Sequence, residues 1–217
     1  MYNLHCHTFL SDGCLVASEV AVRYMAAGYK TIAITDHVDY SNIKSAVESV
    51  LEFTKHWPKD SGIRVLSGIE LTHVPLEQFK PLTEYARSQG IQVVVGHGES
   101  PVEPVVKGTN RAAIEAGVDI LAHPGHISDE DAILAKEKNV FLEITSRHGH
   151  ANANAFVALA GLRFGAKMIL SIDGHAPQDI ISPFHLSQIA VTAGLSLTDI
   201  AKINQDVETF VSSKCSL

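Results

Sequence analysis

The sequence predicts an α/β protein with one domain over residues 1–217, a distorted seven-stranded (β/α) barrel similar to a small TIM barrel. Seven short segments, apolar on both faces, alternate with amphipathic helical patterns, as in a parallel sheet covered by helices. Almost every apolar segment ends at a histidine or a carboxylate, and barrels carry their functional residues at that end of the strands. The 217 residues fall short of the about 250 typical of eight strands. An open doubly wound sheet is the alternative, although it would spread the strand ends along a line.

The predicted elements follow the apolar pattern in chain order. Strands are expected near residues 2–6, 31–35, 64–69, 92–96, 119–122, 140–144 and 167–172. Helices are expected near residues 16–27, 43–57, 76–89, 111–116, 129–138, 152–164, 184–193 and 197–211. Several helical patterns are followed by a glycine such as Gly28 or Gly117, which is typical of a helix C-terminus.

Composition restricts the class of partner and the compartment. The net charge is −7 without a run of Lys or Arg, which disfavours binding to long nucleic acids. The odd number of cysteines, Cys6, Cys14 and Cys215, lacks a CxxC spacing and favours reduced thiols in the cytoplasm. No apolar run approaches the length of a membrane span, and the N-terminus does not resemble a signal peptide. We therefore expect an untargeted cytoplasmic protein without membrane association.

The strand ends carry side chains that can bind metal. His5 and His7 share one face of the first strand because residues two apart in a strand point the same way. A carboxylate in the following loop, Asp12, could reach a second ion, and Glu70 could bridge two ions. Imidazole and carboxylate ligands suit zinc, iron or manganese. The nine candidate ligands are His5, His7, Asp12, His37, Glu70, His97, His123, Asp173 and His175.

The ordered series of motifs resembles the PHP (polymerase and histidinol phosphatase) superfamily. The series is HxH with SDG, then TDH, GxE, GH, HPG and DxH, and it extends over nearly the whole chain. The resemblance implies a distorted seven-stranded barrel with two to three divalent ions, Zn, Mn or Fe, at its rim. It implies one ion at His5, His7, Glu70 and Asp173, a second at Asp12, His37 and His175, and a third at Glu70, His97 and His123, with Glu70 bridging.

Other polar residues near the strand ends have less specific signals. Asp36, His175 and Arg147 are the candidate catalytic residues, and Asp36 could instead orient His37 or a neighbouring ligand. Arg147, His148 and His150 follow the sixth strand and are the candidate substrate contacts, since arginine binds phosphate oxygens in a bidentate manner. Glu143 is left open between a hydrogen-bonding and a substrate-contacting role. A last set is expected to have no part in the chemistry: His56, His73, His126, His185, Arg111 and Arg163.

These residues lead to a functional hypothesis. A hydroxide bridging two ions would attack the phosphorus of a small phosphomonoester, with histidinol phosphate, and hence histidine biosynthesis, suggested first by the resemblance. The alternatives are a phosphodiesterase or exonuclease acting on short nucleotides, an amidohydrolase, and a noncatalytic metal-binding module. An amidohydrolase is disfavoured because no lysine ends the third or fourth strand. Short loops near residues 100–109 and 176–183 suggest an open site, or one completed by a second subunit in a homo-oligomer.

Overall fold

The computed structural model describes residues 1–214, so that Cys215 lies outside the described residues. The strands are β1 (Tyr2–Asn3), β2 (Thr31–Ile34), β3 (His37–Val38), β4 (Arg64–Leu71), β5 (Val93–His97), β6 (Ile120–Ala122), β7 (Phe141–Thr145) and β8 (Met168–Ser171). The helices are α1 (Ala17–Ala27), α2 (Ile43–His56), α3 (Phe79–Ser88), α4 (Thr109–Ala116), α5 (Asp129–Lys138), α6 (Asn154–Phe164), α7 (Pro183–Thr192) and α8 (Leu197–Lys214).

All strand pairs of the sheet are parallel. The strand order is β1-β2-β4-β5-β6-β7-β8, and β3 also pairs with β4. Residues of β2, β5 and β7 are buried throughout, because one face of each strand fills the interior while helices cover the other. The sequence pattern of short, continuously apolar strands therefore corresponds to the observed sheet.

The two ends of the sheet meet at the rim, which closes the barrel almost completely. Cys6 forms a parallel bridge with Gly174, and the backbone N–H of His7 donates to the carbonyl of Gly174 at 2.9 Å. The N–H of Asp173 donates to the carbonyl of His5 at 3.1 Å. This closure confirms the predicted barrel over the open sheet, and it places the first and last motifs of the chain side by side.

The second strand position differs from the prediction because it is divided. β2 ends at Ile34, and the chain pairs with β4 again only in β3. At the break, the Thr35 hydroxyl accepts from the N–H of Cys6 at 3.1 Å, and the Thr35 N–H donates to the carbonyl of Cys6 at 2.9 Å. The register with β4 is the same on both sides of the break, so that among the described residues eight strand segments occupy seven positions.

The helices lie close to their predicted ranges. Gly28 and Gly117 adopt left-handed backbone conformations directly after α1 and α4, as the sequence predicted. Cys6 is buried and Cys14 is exposed, and both are free thiols. Within residues 1–214, no helix is both long enough and apolar enough to cross a membrane.

Gly68 in β4 permits close packing between strands, and its replacement should destabilise the barrel. A Cβ atom there would lie 2.7 Å from Thr35 Cγ2 and 2.8 Å from the Ile34 carbonyl oxygen. We expect Gly68→Ala to lower the free energy of unfolding by about 1 to 3 kcal/mol, measured by denaturant titration. The exposed Ser88→Ala should change it by less than about 0.5 kcal/mol. Equal stabilities would show that the strands relax freely.

Candidate metal centre

Most of the candidate ligands line one cavity at the C-terminal rim of the barrel. The cavity has a volume of about 240 Å³ and is lined by Asp12, His37, Thr72, His73, His97, Glu103, His123, Arg147, His150, Asp173 and His175. A larger cavity of about 640 Å³ lies near the N-terminal ends of β4 and β5, and no histidine or carboxylate is among the described residues that line it. The chemistry of the lining, rather than the size, identifies the rim cavity as the candidate site.

The innermost group combines side chains from the first, third and last strand positions. Nε2 of His7 lies 3.1 Å from Asp173 Oδ1, and Nε2 of His5 lies 3.5 Å from the same oxygen. Glu70 Oε2 lies 3.4 Å from Nε2 of His5 and 3.6 Å from Nε2 of His7. Two ligands about 2.1 Å from one ion are roughly 3.0 to 3.4 Å apart in octahedral or tetrahedral geometry. The observed spacing fits one ion held by this group.

Polar atoms of the inner group lack hydrogen-bond partners. Among the described residues, Nε2 of His5, both ring nitrogens of His7, Oε1 of Glu70 and Oδ1 of Asp173 are buried and make no hydrogen bond. Leaving such groups unpaired is costly, and buried charges are normally paired or bound to metal. Divalent ions would supply the missing partners, so the residues present fit the metal that the sequence predicts.

A second group lies nearer to solvent. Asp12 Oδ1 is 3.2 Å from His175 Nε2 and 3.5 Å from His37 Nε2. With His7, these residues offer ligand atoms that all lie within 4.8 Å of one another. The side chain of Asp12 is 55% exposed, which leaves room for substrate on this side. The structure therefore brings together the residues predicted for the first two ions.

The residues predicted for a third ion are arranged differently. Nε2 of His123 lies 3.9 Å from Glu70 Oε1 and 3.7 Å from Asp173 Oδ2. Nε2 of His97 instead faces Glu103 Oε2 at 2.8 Å. His97 groups with His73 and Glu103, whereas His123 groups with His150 and Asp173. His73, which the sequence predicts to have no part in the chemistry, lines the cavity.

The buried carboxylate of Glu143 contacts two of the candidate ligands, His5 and His123. Its Oε1 lies 2.7 Å from His5 Nδ1, and its Oε2 accepts from the backbone N–H of His123 at 3.0 Å. When Nδ1 of His5 donates to this carboxylate, Nε2 is left free to bind metal, as in many metal-binding histidines. Of the two roles left open by the sequence, the structure supports the hydrogen-bonding one.

Asp36 contacts the first loop rather than the cavity. Its carboxylate accepts from the N–H of Thr8 at 2.7 Å, from the Thr8 hydroxyl at 2.8 Å and from the Ser11 hydroxyl at 2.7 Å. Within residues 1–214, Asp36 is not among those that line the cavity. Of the two roles that the sequence allows, these contacts support the positioning one, because Asp36 holds the loop that carries Asp12.

The candidate substrate contacts divide into two kinds. Arg147 lines the cavity, is 31% exposed, and pairs with Asp179 at 3.2 Å. His150 is buried, with Nε2 3.3 Å from Glu103 Oε1. His148 is exposed and, within the described chain, lies outside the cavity lining, because the chain turns outward there before His150 returns. The structure thus places Arg147 and His150, but not His148, at the cavity.

The carboxylates control the protonation of the histidines in the absence of metal. Burial acts to lower the pKa of His37, but the charges of Glu70 and Asp12 outweigh it and raise this pKa to about 10. Burial similarly opposes protonation of His5, yet Glu143, Asp173 and Glu70 raise its pKa well above the usual value. Burial and the charge of His37 lower the pKa of His7 to about 4. Protons therefore occupy the centre at neutral pH.

Metal binding should compete with these protons. A ligating nitrogen must be unprotonated, so His37, with its raised pKa, must release a proton to bind an ion at any pH below about 10. We expect affinity for Mn²⁺ to rise between pH 6 and pH 9, by up to about tenfold per pH unit for each proton released. Calorimetry in buffers of different ionisation enthalpy should detect the released protons. An affinity independent of pH would contradict this electrostatic description.

The barrel and its rim of histidines and carboxylates define the class of metal-dependent hydrolases. A family model described as the PHP domain matches residues 3–153. The chain is 41% identical over 200 residues to an uncharacterized protein of Methanocaldococcus jannaschii, covering 90% of both chains. It is 24% identical to the DNA polymerase/3′-5′ exonuclease PolX of Bacillus subtilis, covering 80% of this chain and 34% of that protein.

A solved structure has the same fold. The histidinol phosphate phosphatase of Lactococcus lactis, solved with zinc, L-histidinol and phosphate, superposes with a TM-score of 0.63 at 14% identity. The match covers 90% of this chain and 94% of that one. The chain belongs to the PHP domain family, which confirms the resemblance that the motifs predicted.

Proposed function

We propose that this protein hydrolyses a small phosphomonoester. The observation that carries the proposal is the composition of the rim cavity, where one arginine lies beside two groups of metal-binding side chains. A volume of about 240 Å³ accommodates a phosphoryl group with a compact alcohol. Histidinol phosphate is the first substrate to test, because the structural neighbour from Lactococcus lactis acts on it and has the same fold.

Two or three divalent ions, Zn, Mn or Fe, are proposed as the cofactors. His5, His7, Glu70 and Asp173 would hold one, and Asp12, His37 and His175 would hold another. When bound, such ions lower the pKa of water and neutralise charge on a phosphoryl group. His175 serves as a ligand in this scheme, and the catalytic role predicted for it remains a proposal that its position beside Asp12 supports.

Arg147 is proposed to bind the phosphoryl oxygens. Its guanidinium is held by Asp179, whose Oδ2 also accepts from the backbone N–H groups of His175 at 2.9 Å and Ala176 at 2.8 Å. This link fixes the arginine relative to the His175 loop. A planar guanidinium with donors to spare can bind phosphate while it remains paired with Asp179.

The alternatives receive unequal support. Within the described chain no lysine lines the cavity, which disfavours an amidohydrolase that depends on a bridging lysine. A noncatalytic module is disfavoured because none of the candidate ligand positions is replaced by a non-ligating residue. Phosphodiester hydrolysis of short nucleotides remains the second candidate, favoured by the similarity to PolX. Cytoplasmic location and the absence of long nucleic acid and membrane partners remain proposals, as does a homo-oligomer.

A substrate panel tests the proposed reaction. Protein loaded with Mn²⁺, Zn²⁺ or Fe²⁺ would be assayed for phosphate release from histidinol phosphate, other phosphomonoesters, mononucleotides and dinucleotides. We expect a phosphomonoester to give the highest kcat/KM. Faster cleavage of dinucleotides than of every monoester would favour the second candidate. Cleavage of amide substrates alone would overturn the proposal.

Arg147→Ala provides a residue-level prediction for the same reaction. Loss of hydrogen bonds to a charged group costs about 1.5 to 3 kcal/mol, so kcat/KM for the best phosphomonoester should fall roughly ten- to a hundredfold. Steady-state kinetics would measure the change. Arg163→Ala, at an exposed arginine paired with Asp129 on the outer surface, is the matched control and should retain full activity. Equal activity of both variants would remove Arg147 from the site.

A further inference from the structure

The carboxylate of Glu103 extends from the loop between β5 and α4 to three histidines from different parts of the rim. Its Oε2 lies 2.8 Å from His97 Nε2 and 3.4 Å from His73 Nε2. Its Oε1 lies 3.3 Å from His150 Nε2. Since Glu103 is in no strand-end motif, nothing in the ordered series predicts this contact.

Hydrogen bonds hold both ends of the loop that carries Glu103. Glu99 Oε1 accepts from the N–H of Gly108 at 2.8 Å and from that of Asn110 at 3.1 Å. Asn110 Oδ1 accepts from the Glu99 N–H at 2.8 Å, and the side-chain N–H of Asn110 donates to the Pro124 carbonyl at 2.9 Å. The loop between these anchors therefore begins and ends at fixed points beside the cavity.

The His97 ring is oriented so that its Nε2 faces Glu103. Its Nδ1 lies 2.9 Å from the Gly98 carbonyl oxygen, so Nδ1 carries the proton and Nε2 is free to bind metal. Within the described residues, Glu103 is the only carboxylate within 4.0 Å of that nitrogen. His97 therefore has the donor pattern of a metal-binding histidine, directed at the outer side of the cavity.

His73 completes the outer group from a constrained backbone. Its φ of 52° lies in the left-handed region, which is uncommon for a residue other than glycine and is found often at functional sites. The His73 ring packs on that of His97 with centroids 4.7 Å apart. Ligand atoms of His73, His97 and Glu103 all lie within 4.8 Å of one another.

We propose that His73, His97 and Glu103 form a divalent-cation site on the outer side of the cavity, in place of the third site at Glu70, His97 and His123. Two imidazoles and one carboxylate are a ligand set for Zn²⁺, Mn²⁺ or Fe²⁺. Three protein ligands leave coordination positions open for water or for an oxygen of a bound anion. The proposal concerns metal binding and does not depend on the identity of the substrate.

Equilibrium dialysis of metal-free protein against buffered Mn²⁺ tests the site directly. Bound Mn²⁺ per chain would be counted by elemental analysis, and unbound Mn²⁺ by its paramagnetic resonance signal. We expect the Glu103→Gln and His73→Gln variants each to lose one equivalent of bound Mn²⁺, or to bind that equivalent with a dissociation constant at least tenfold higher. The remaining equivalents should bind with unchanged affinity, because neither the innermost group nor the group at Asp12 shares a ligand with the site at Glu103.

Matched controls separate this effect from a general change in charge or folding. Glu77→Gln and His56→Gln alter exposed residues outside the cavity and should bind Mn²⁺ as the unmodified protein does. Far-ultraviolet circular dichroism and thermal unfolding would verify that all variants fold. If the folded Glu103→Gln and His73→Gln variants bind the same number of ions with the same affinities as their controls, the outer site does not exist. Loss of an equivalent in His123→Gln with none lost in Glu103→Gln would likewise overturn it in favour of the inner set.

Discussion

Replacing Asp173 by Asn should lower kcat/KM of the metal-loaded protein by about a thousandfold or more, equivalent to about 4 kcal/mol of transition-state stabilisation. Asp173 Oδ1 is within 3.5 Å of Nε2 of both His5 and His7, and its Oδ2 is 3.7 Å from Nε2 of His123. The substitution removes the charge that these ligands share. Asn readily adopts the left-handed backbone of Asp173, where φ is 55°, so the loop should keep its conformation.

Steady-state kinetics with matched metal loading would measure this loss. Asp206→Asn is the control, because Asp206 pairs with Lys202 on α8 and is not among the described residues that line the rim cavity. The control should retain activity. Retention of more than about a tenth of the activity by Asp173→Asn would show that this carboxylate is not part of the reacting centre, and the inner group would have to be reassigned.

Replacing Glu143 by Gln should weaken binding of the inner ion about ten- to a hundredfold. The carboxylate accepts from His5 Nδ1 with one oxygen and from the His123 N–H with the other. A glutamine has one acceptor oxygen, so its amide N–H₂ must face one of these donors. The expected consequence is a misoriented His5 ring or a displaced His123 backbone, because all three residues are buried.

Competition with a chelator of known zinc affinity would measure this change. Glu137→Gln on the exposed surface of α5 is the matched control and should bind zinc normally. A Glu143→Gln variant that binds zinc within about twofold of the unmodified protein would indicate that Glu143 contributes only to packing.

The strand-end ligands could be predicted from the sequence because a simple periodicity governs them. Residues at the ends of parallel strands face one rim, and His5 and His7 share a face because they are two apart. The same pattern places Glu143 near the end of a strand but does not indicate its partner. Its contact with His5 joins residues 138 positions apart, which only the closed barrel brings together.

The loop residues of the site could not be predicted in the same way. Glu103 and His73 reach the cavity through the particular course of two loops, which no periodicity encodes. The role of Asp36 depends on the fold of the first loop, where Thr8 and Ser11 turn back toward it. A usable signal is that His73 and Glu103 each follow, within about six residues, a strand that carries a predicted ligand, Glu70 in β4 and His97 in β5.

We infer that side chains distant in sequence meet around divalent ions at the rim. Anomalous X-ray diffraction from crystals equilibrated with Mn²⁺ tests it most directly. We expect one strong peak bounded by His5, His7, Glu70 and Asp173 and a second bounded by Asp12, His37 and His175. Well-ordered crystals without an anomalous peak in contact with these residues, whether equilibrated with millimolar Mn²⁺ or with millimolar Zn²⁺, would contradict a metal centre at this rim.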